Sequence, residues 1–174
     1  ACSYPVADGM VVENETEYLR KVRRDIIDML FVEGNHYCMF CQVSGKCELQ
    51  ALAYRFGITA PKYPFIYPER DLDASHHNVL IERNRCILCG RCVNASRDVD
   101  GKCVFEFVGR GPGKKIAVNS AKGLDGTSLE ATDRAIDVCP VGSILRKDDA
   151  YSEPYGKRKY DQKPIGSEIE EKQG

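Results

Sequence analysis

The residues able to do chemistry here are cysteines: Cys2, Cys38, Cys41, Cys47, Cys86, Cys89, Cys92, Cys103 and Cys139. An odd count with C-x-x-C spacings argues against a disulfide framework. Thiolates this close together read as metal ligands in a reducing compartment. Cys86-Ile87-Leu88-Cys89-Gly90-Arg91-Cys92 opens the bacterial ferredoxin run C-x2-C-x2-C-x3-C-P, in which the fourth cysteine serves the other cluster. Here that fourth position is Ser96. The same template run backwards from Cys139-Pro140 falls on Leu129, Thr132 and Ala135. One complete set therefore remains, Cys86, Cys89, Cys92 and Cys139, and the other is erased as a unit. Three sulfurs at i, i+3 and i+6 surround one concave surface, where backbone N–H groups can also meet inorganic sulfide. A [4Fe-4S] cubane fits that surface, whereas tetrahedral zinc usually draws on two separated pairs. Pro140 fixes the backbone beside the remote ligand and cannot extend the preceding helix.

The first constellation is His36, Cys38, Cys41 and Cys47. Alone it could be a Cys3His zinc site. With a cluster as its neighbour it reads as a second [4Fe-4S] site with His36 as fourth ligand, His76 and His77 being the competitors for that place. A neutral imidazole in place of a thiolate removes a negative charge and should raise the potential. Cys103 has no partner at ligand spacing and is expected to be a small buried apolar residue. Arg83, Arg85 and Arg91 flank the ligands, where they could screen cluster charge, dock a partner or simply face solvent. The chain has no G-x-G-x-x-G, Walker A, G-x-S-x-G or H-E-x-x-H sequence, so no nucleotide or flavin site is expected on it.

The elements that must position these residues predict an α+β chain. Residues 14–33 read as a helix capped by Asn14, with Tyr18, Val22, Ile26, Met29 and Leu30 as its core stripe and Gly34 as its end. A second helical stretch, 48–56, follows the first cysteine loop and stops at Gly57. Prolines 61, 64 and 68 mark residues 60–69 as a connector, where the domain boundary is placed. The organisation expected is a small helical His/Cys-cluster domain over 14–70, then a ferredoxin-like [4Fe-4S] domain over 71–149. The latter carries an inserted β-hairpin of strands 104–108 and 115–118, joined by Gly109-Arg110-Gly111-Pro112-Gly113. Residues 150–174 form a polar tail that wraps a partner or is solvated.

Composition narrows the partners. Lys and Arg number 25 against 26 Asp and Glu, a formal charge of -1, which gives no electrostatic reason to expect nucleic acid or an anionic membrane. The longest apolar run, 26–32, contains Asp28 and is far below the roughly 20 residues of a membrane span. The N-terminus lacks a secretory signal and an initiator Met, so a processed chain, or one whose first segment precedes Ala1, is expected in the cytoplasm.

The run from Glu33 to Cys41, then Gly45 to Gln50, Arg85 to Cys92 and Val138 to Gly142 resembles the small iron-sulfur diaphorase subunit of soluble NAD-reducing [NiFe]-hydrogenases. That subunit is similar to the N-terminal iron-sulfur region of the large subunit of complex I and to accessory domains of some [FeFe]-hydrogenases. In those relatives the histidine typically stands four residues before the first cysteine; His36 stands two before Cys38, which favours the hydrogenase branch. The resemblance implies a plant-type [2Fe-2S] domain ahead of Ala1, ending in residues 1–13 with Cys2 as its last ligand. It also implies an electron relay through two [4Fe-4S] clusters, with no bond chemistry of its own. The partners implied are an FMN/NAD-binding diaphorase subunit and a hydrogenase small subunit with its NiFe large subunit. Rival assignments are an iron-sulfur piece of complex I, of a formate dehydrogenase or of an [FeFe]-hydrogenase assembly, and, in another class, a zinc-binding interaction module.

Overall fold

The structure, a computed structural model, describes residues 4–171; Cys2 lies outside the described residues. Helix α1 spans Glu17–Glu33 and is capped by Thr16, whose Oγ1 accepts from the Leu19 N–H at 3.2 Å, so it starts later than the expected cap at Asn14. Its buried face also differs from the expected stripe. Tyr18 is 73% exposed, Ile26 and Met29 are exposed as well, and Ile27, Asp28 and Val32 are buried. The cause is the connector. Asp28 accepts from the Lys62 N–H at 3.1 Å, and Ile66 N donates to the Val32 carbonyl at 3.0 Å. Backbone donors of a proline-interrupted segment need buried acceptors, and they turn a carboxylate inward where a sequence pattern would place an apolar side chain.

Helix α2, Glu48–Arg55, buries Leu49, Gln50, Ala51 and Ala53. Ile27, Leu49, Ala53, Ile58 and Val141 form the first core, with Leu30, Phe31 and Ile87 packed against it. Because Val141 and Ile87 come from beyond the connector, this core spans both halves of the chain.

The second half is built on a three-stranded antiparallel sheet in the order β1 (Leu72–Asp73), β2 (Val79–Glu82), β5 (Ile144–Arg146). Ile81 pairs with both Asp73 and Ile144. Helix α3 (Arg91–Asp98) and helix α4 (Arg134–Asp137) lie between β2 and β5 in the chain, with an antiparallel pair, β3 (Phe105–Val108) and β4 (Lys115–Val118), between the helices. Arg83 is 4% exposed and ties the end of β2 to this pair: its Nε donates to the Ile116 carbonyl at 2.7 Å and its Nη1 to Asp71 at 2.9 Å.

The larger core holds Val79, Ile81, Val104, Phe105, Ile116, Leu124, Ala135 and Ile136. Three of the four positions that a second ferredoxin cluster would use are filled space: Ser96, Leu129 and Ala135 are buried, and Ser96 Oγ accepts from Val104 N at 2.8 Å. Thr132 faces solvent. Cys103, expected to be buried, is exposed at φ +49°, in a turn whose N–H donates to Ser96 O and whose carbonyl accepts from Asn119. The turn meets its own backbone needs, so no burial follows. Among the described residues no helix is long and apolar enough to cross a membrane.

Candidate metal centres

Two sets of cysteine thiols are gathered largely by local backbone geometry. In the first, Cys38 opens a 3-10 turn over Cys38–Phe40, and Cys41 N closes it on the Cys38 carbonyl at 3.3 Å. The following turn doubles back at Gly45, φ +82°, so that Cys47 becomes the N-cap of α2. Cys38, Cys41 and Cys47 thereby line one cavity together with His36. In the second, left-handed residues Leu88 and Gly90, at φ +55° and +73°, wrap Cys86, Cys89 and Cys92 about a common point, with Cys92 in the first turn of α3. Cys139, just after α4, closes that cavity.

The fourth side chain of the first set is decisive. His36 stands edge-on to Phe31, with ring centroids 5.6 Å apart. Among the described residues its Nε2 is the one buried side-chain nitrogen or oxygen without a hydrogen-bond partner. Leaving such an atom unpaired costs about 1–3 kcal/mol, so a cofactor at the ring has energetic reason to be there. Burial first, then the charges of Arg85 and Arg70, hold the imidazole pKa down to about 4, which keeps it neutral with a free lone pair. Gly34 makes the room: a Cβ there would fall 2.5 Å from His36 Nε2 and 2.9 Å from the Asn84 carbonyl. The competitors are otherwise placed. His76 has both ring nitrogens engaged, with Leu129 O and Asn78 N, each at 3.1 Å, and His77 is exposed.

The thiols are tuned by burial. It pushes Cys47 up to about 12, and Cys92 also to about 12 with the neighbouring Cys139, Cys86 and Cys89 adding to it. Cys38, Cys86 and Cys139 are raised for the same first reason. Thiols held this high ionise only when a cation meets them, which is the environment of a metal site rather than of a nucleophile. Among the described residues no three His, Cys, Asp or Glu side chains converge closely enough to hold a single ion. The cysteines and His36 line two cavities.

The two centres share a wall. Cys139 packs against both cores. Glu48 N, one residue after Cys47, donates to the carbonyl of Pro140, one residue after Cys139, at 2.8 Å. Gly142 passes so close to the first centre that a Cβ would lie 3.0 Å from Cys41 Sγ. Arg85, next to Cys86, lines the first cavity and donates to Gln42 at 2.5 Å and to the Gly142 carbonyl at 3.4 Å. Arg91 and Glu48 join the two sides with paired contacts of 2.9 Å. Arg83, by contrast, is structural. Gly34, Gln50 and Gly142 lie within the runs that carry the family resemblance, but ligand spacing singles out none of them, and their packing around the first cavity is visible only in the fold.

Two family models match the chain: the NADH-ubiquinone oxidoreductase-G iron-sulfur binding region over residues 23–62, and the ferredoxin-like domain of NADH-quinone oxidoreductase subunit 3 over residues 77–145. Each contains one of the two sets. The NAD-reducing hydrogenase HoxS subunit gamma of Cupriavidus necator is 37% identical over 162 residues, which cover 92% of this chain and 69% of that one. The chain belongs to this family of hydrogenase gamma subunits. A crystal structure of NAD+-reducing [NiFe]-hydrogenase in the H2-reduced state superposes with a TM-score of 0.90 and 46% identity, covering 94% of this chain and 70% of the other. The family is related more distantly to complex I: the mitochondrial 78 kDa subunit of NADH-ubiquinone oxidoreductase from Candida albicans is 31% identical, this chain spanning 21% of its length. These relations make the chain an iron-sulfur electron-transfer subunit.

Proposed function

We propose that the chain holds two [4Fe-4S] clusters, one on His36, Cys38, Cys41 and Cys47, the other on Cys86, Cys89, Cys92 and Cys139. Through them it relays single electrons, within a cytoplasmic hetero-oligomer, between an FMN/NAD(H) diaphorase subunit and a hydrogenase small subunit with its NiFe partner. The observation that carries this reading is the buried, unpartnered Nε2 of His36 beside three thiols. The clusters supply one-electron redox chemistry; the chain's part is to bury, space and tune them. The helical unit 14–70 and the ferredoxin-like unit 71–149, with the β3–β4 pair as its insertion, each present one ligand set, and the chain itself makes and breaks no substrate bonds. Their shared wall keeps the two sites close enough for direct exchange.

Iron, acid-labile sulfide and zinc measured on anaerobically purified protein, with electron paramagnetic resonance after reduction, test the reading. Roughly eight irons with matching sulfide and two reduced-cluster signals are expected for these two sites. About two zincs without sulfide would overturn it in favour of a structural zinc module.

A smaller change probes the histidine through its neighbour. Gly34→Ala places a methyl within van der Waals overlap of the ring and of the Asn84 carbonyl. The first cluster's resonance is expected to be lost or altered while the second persists, and iron to fall towards half if the ligand is expelled. A wild-type first signal in that variant would show that the ring does not serve the cluster.

A further inference from the structure

The segment after β5 returns across the first cysteine loop. Tyr151 donates its hydroxyl to the Phe40 carbonyl at 2.8 Å, Tyr160 N donates to the Gly45 carbonyl at 2.9 Å, and Lys46 pairs with Glu153 at 2.8 Å. Arg158 stands at the centre of these contacts. Its Nη1 donates to the Ser44 carbonyl at 3.1 Å, its Nη2 and Nε reach Asp161 at 2.6 and 3.0 Å, and its guanidinium lies 4.0 Å from the Tyr155 ring centre. The same Asp161 carboxylate accepts from the backbone of Gly156 and Arg158, so the strap is folded on itself before it meets the loop.

The loop is shaped to receive it. Gly45 holds φ +82°, and a Cβ there would fall 2.3 Å from Arg158 Nε. From the inner side Gln50, 7% exposed, accepts from Gly45 N at 2.7 Å and donates to Ser44 Oγ at 3.1 Å. The Ser44–Gly45 turn, the span between two ligands of the first centre, is therefore gripped on both faces. Both of its carbonyls, normally left to water in a surface loop, are taken by the strap.

We propose that Arg158 is a positioning residue for the first cluster: through the strap of residues 151–161 it fixes the Cys41–Cys47 loop and limits the access of water to that cluster. This rests on the assignment of His36, Cys38, Cys41 and Cys47 as a ligand set. Water reaching a cluster favours its more highly charged reduced form, and solvent exposure is one of the quantities that set cluster potentials. Loss of the grip should raise the first potential and shorten that cluster's life in air, leaving the second alone. Lysine keeps the charge but not the planar fork that spans Ser44 and Asp161 together, so it should restore the wild-type state only in part.

The test is a redox titration followed by electron paramagnetic resonance on the assembled complex, with bleaching in air as a second readout, for wild type, Arg158→Ala and Arg158→Lys. Asp161→Asn loosens the same grip from the strap side and serves if Arg158→Ala does not accumulate. The expected result is an upward shift and faster bleaching confined to the first cluster, graded from alanine to lysine. Unchanged potential and bleaching, or equal loss of both clusters, would overturn the inference. Zinc without sulfide in the wild type would instead overturn the ligand assignment and the inference with it.

Discussion

Replacing His36 with cysteine lowers the reduction potential of the first cluster by on the order of 100 mV, with iron content unchanged and the second cluster unmoved. The direction follows from charge. The native imidazole is neutral, because burial and the facing Arg85 and Arg70 hold its pKa down to about 4. A thiolate in its place adds a full negative charge at a partly buried position, and the reduced cluster, already the more negative state, bears most of that cost. The variant keeps four donors, and the shorter side chain sits above Gly34, where no Cβ obstructs it. A redox titration read by electron paramagnetic resonance separates the two clusters in one sample. If both potentials coincide with the wild type, His36 is not a ligand, and its unpaired Nε2 requires another account. His36→Ala is the sharper loss: it removes the fourth donor, and the first signal should become that of a three-iron or solvent-ligated cluster, or vanish.

Which thiols share a cavity was legible because the spacing is local. Three cysteines within seven residues, turned by left-handed Leu88 and Gly90, can meet only around one point, and the Cys139-Pro140 pair identified the remote member. The erased second set was legible for the same reason, and Ser96, Leu129 and Ala135 now serve as core. The inward face of α1 was not legible. Apolar periodicity chose Tyr18, Ile26 and Met29, but the face was settled by backbone donors in the connector, of which Lys62 N takes Asp28 as its acceptor and Ile66 N the Val32 carbonyl. Such a demand is tertiary, and no window of sequence contains it. The same holds for Gly34, Gly45 and Gly142, whose missing Cβ atoms matter only because of what packs against them. By composition the segment 151–161 read as part of a tail that wraps a partner or is solvated. Its side chains and the Tyr160 N–H meet chiefly the carbonyls of a loop more than 100 positions earlier, as in Arg158 to Ser44, and composition carries no trace of which carbonyls those are.

Glu48→Pro is expected to slow electron exchange between the two clusters by roughly tenfold, equivalent to ~1.4 kcal/mol on the barrier, with both clusters loaded. The shortest bonded connection between the sets runs from Cys47 through its own peptide to the Glu48 N–H, across 2.8 Å to the Pro140 carbonyl, and back to Cys139. Proline deletes that N–H at a position suited to tolerate it. Glu48 is the first residue of α2, where helices accept proline because the N–H has no partner within the helix. Cys47, at φ -72° and ψ 123°, already has the extended backbone that a residue before proline adopts. The ring carbon replaces the hydrogen and moves the Pro140 carbonyl away, at a cost in stability of about 1–3 kcal/mol for the lost acceptor. Glu48→Ala is the control. It removes the ion pair to Arg91, a half-exposed contact worth about 1 kcal/mol or less, and leaves the backbone bond intact. The measurement is the delay between the two cluster signals in rapidly frozen samples reduced from one end of the complex. A delay in the proline variant and none in the alanine variant assigns the exchange to the Cys47–Cys139 bridge. Equal delays in the two variants would assign the effect to the Glu48–Arg91 pair that both lose, and no delay in either would move the route to the other close approach, where Gly142 meets the sulfur of Cys41.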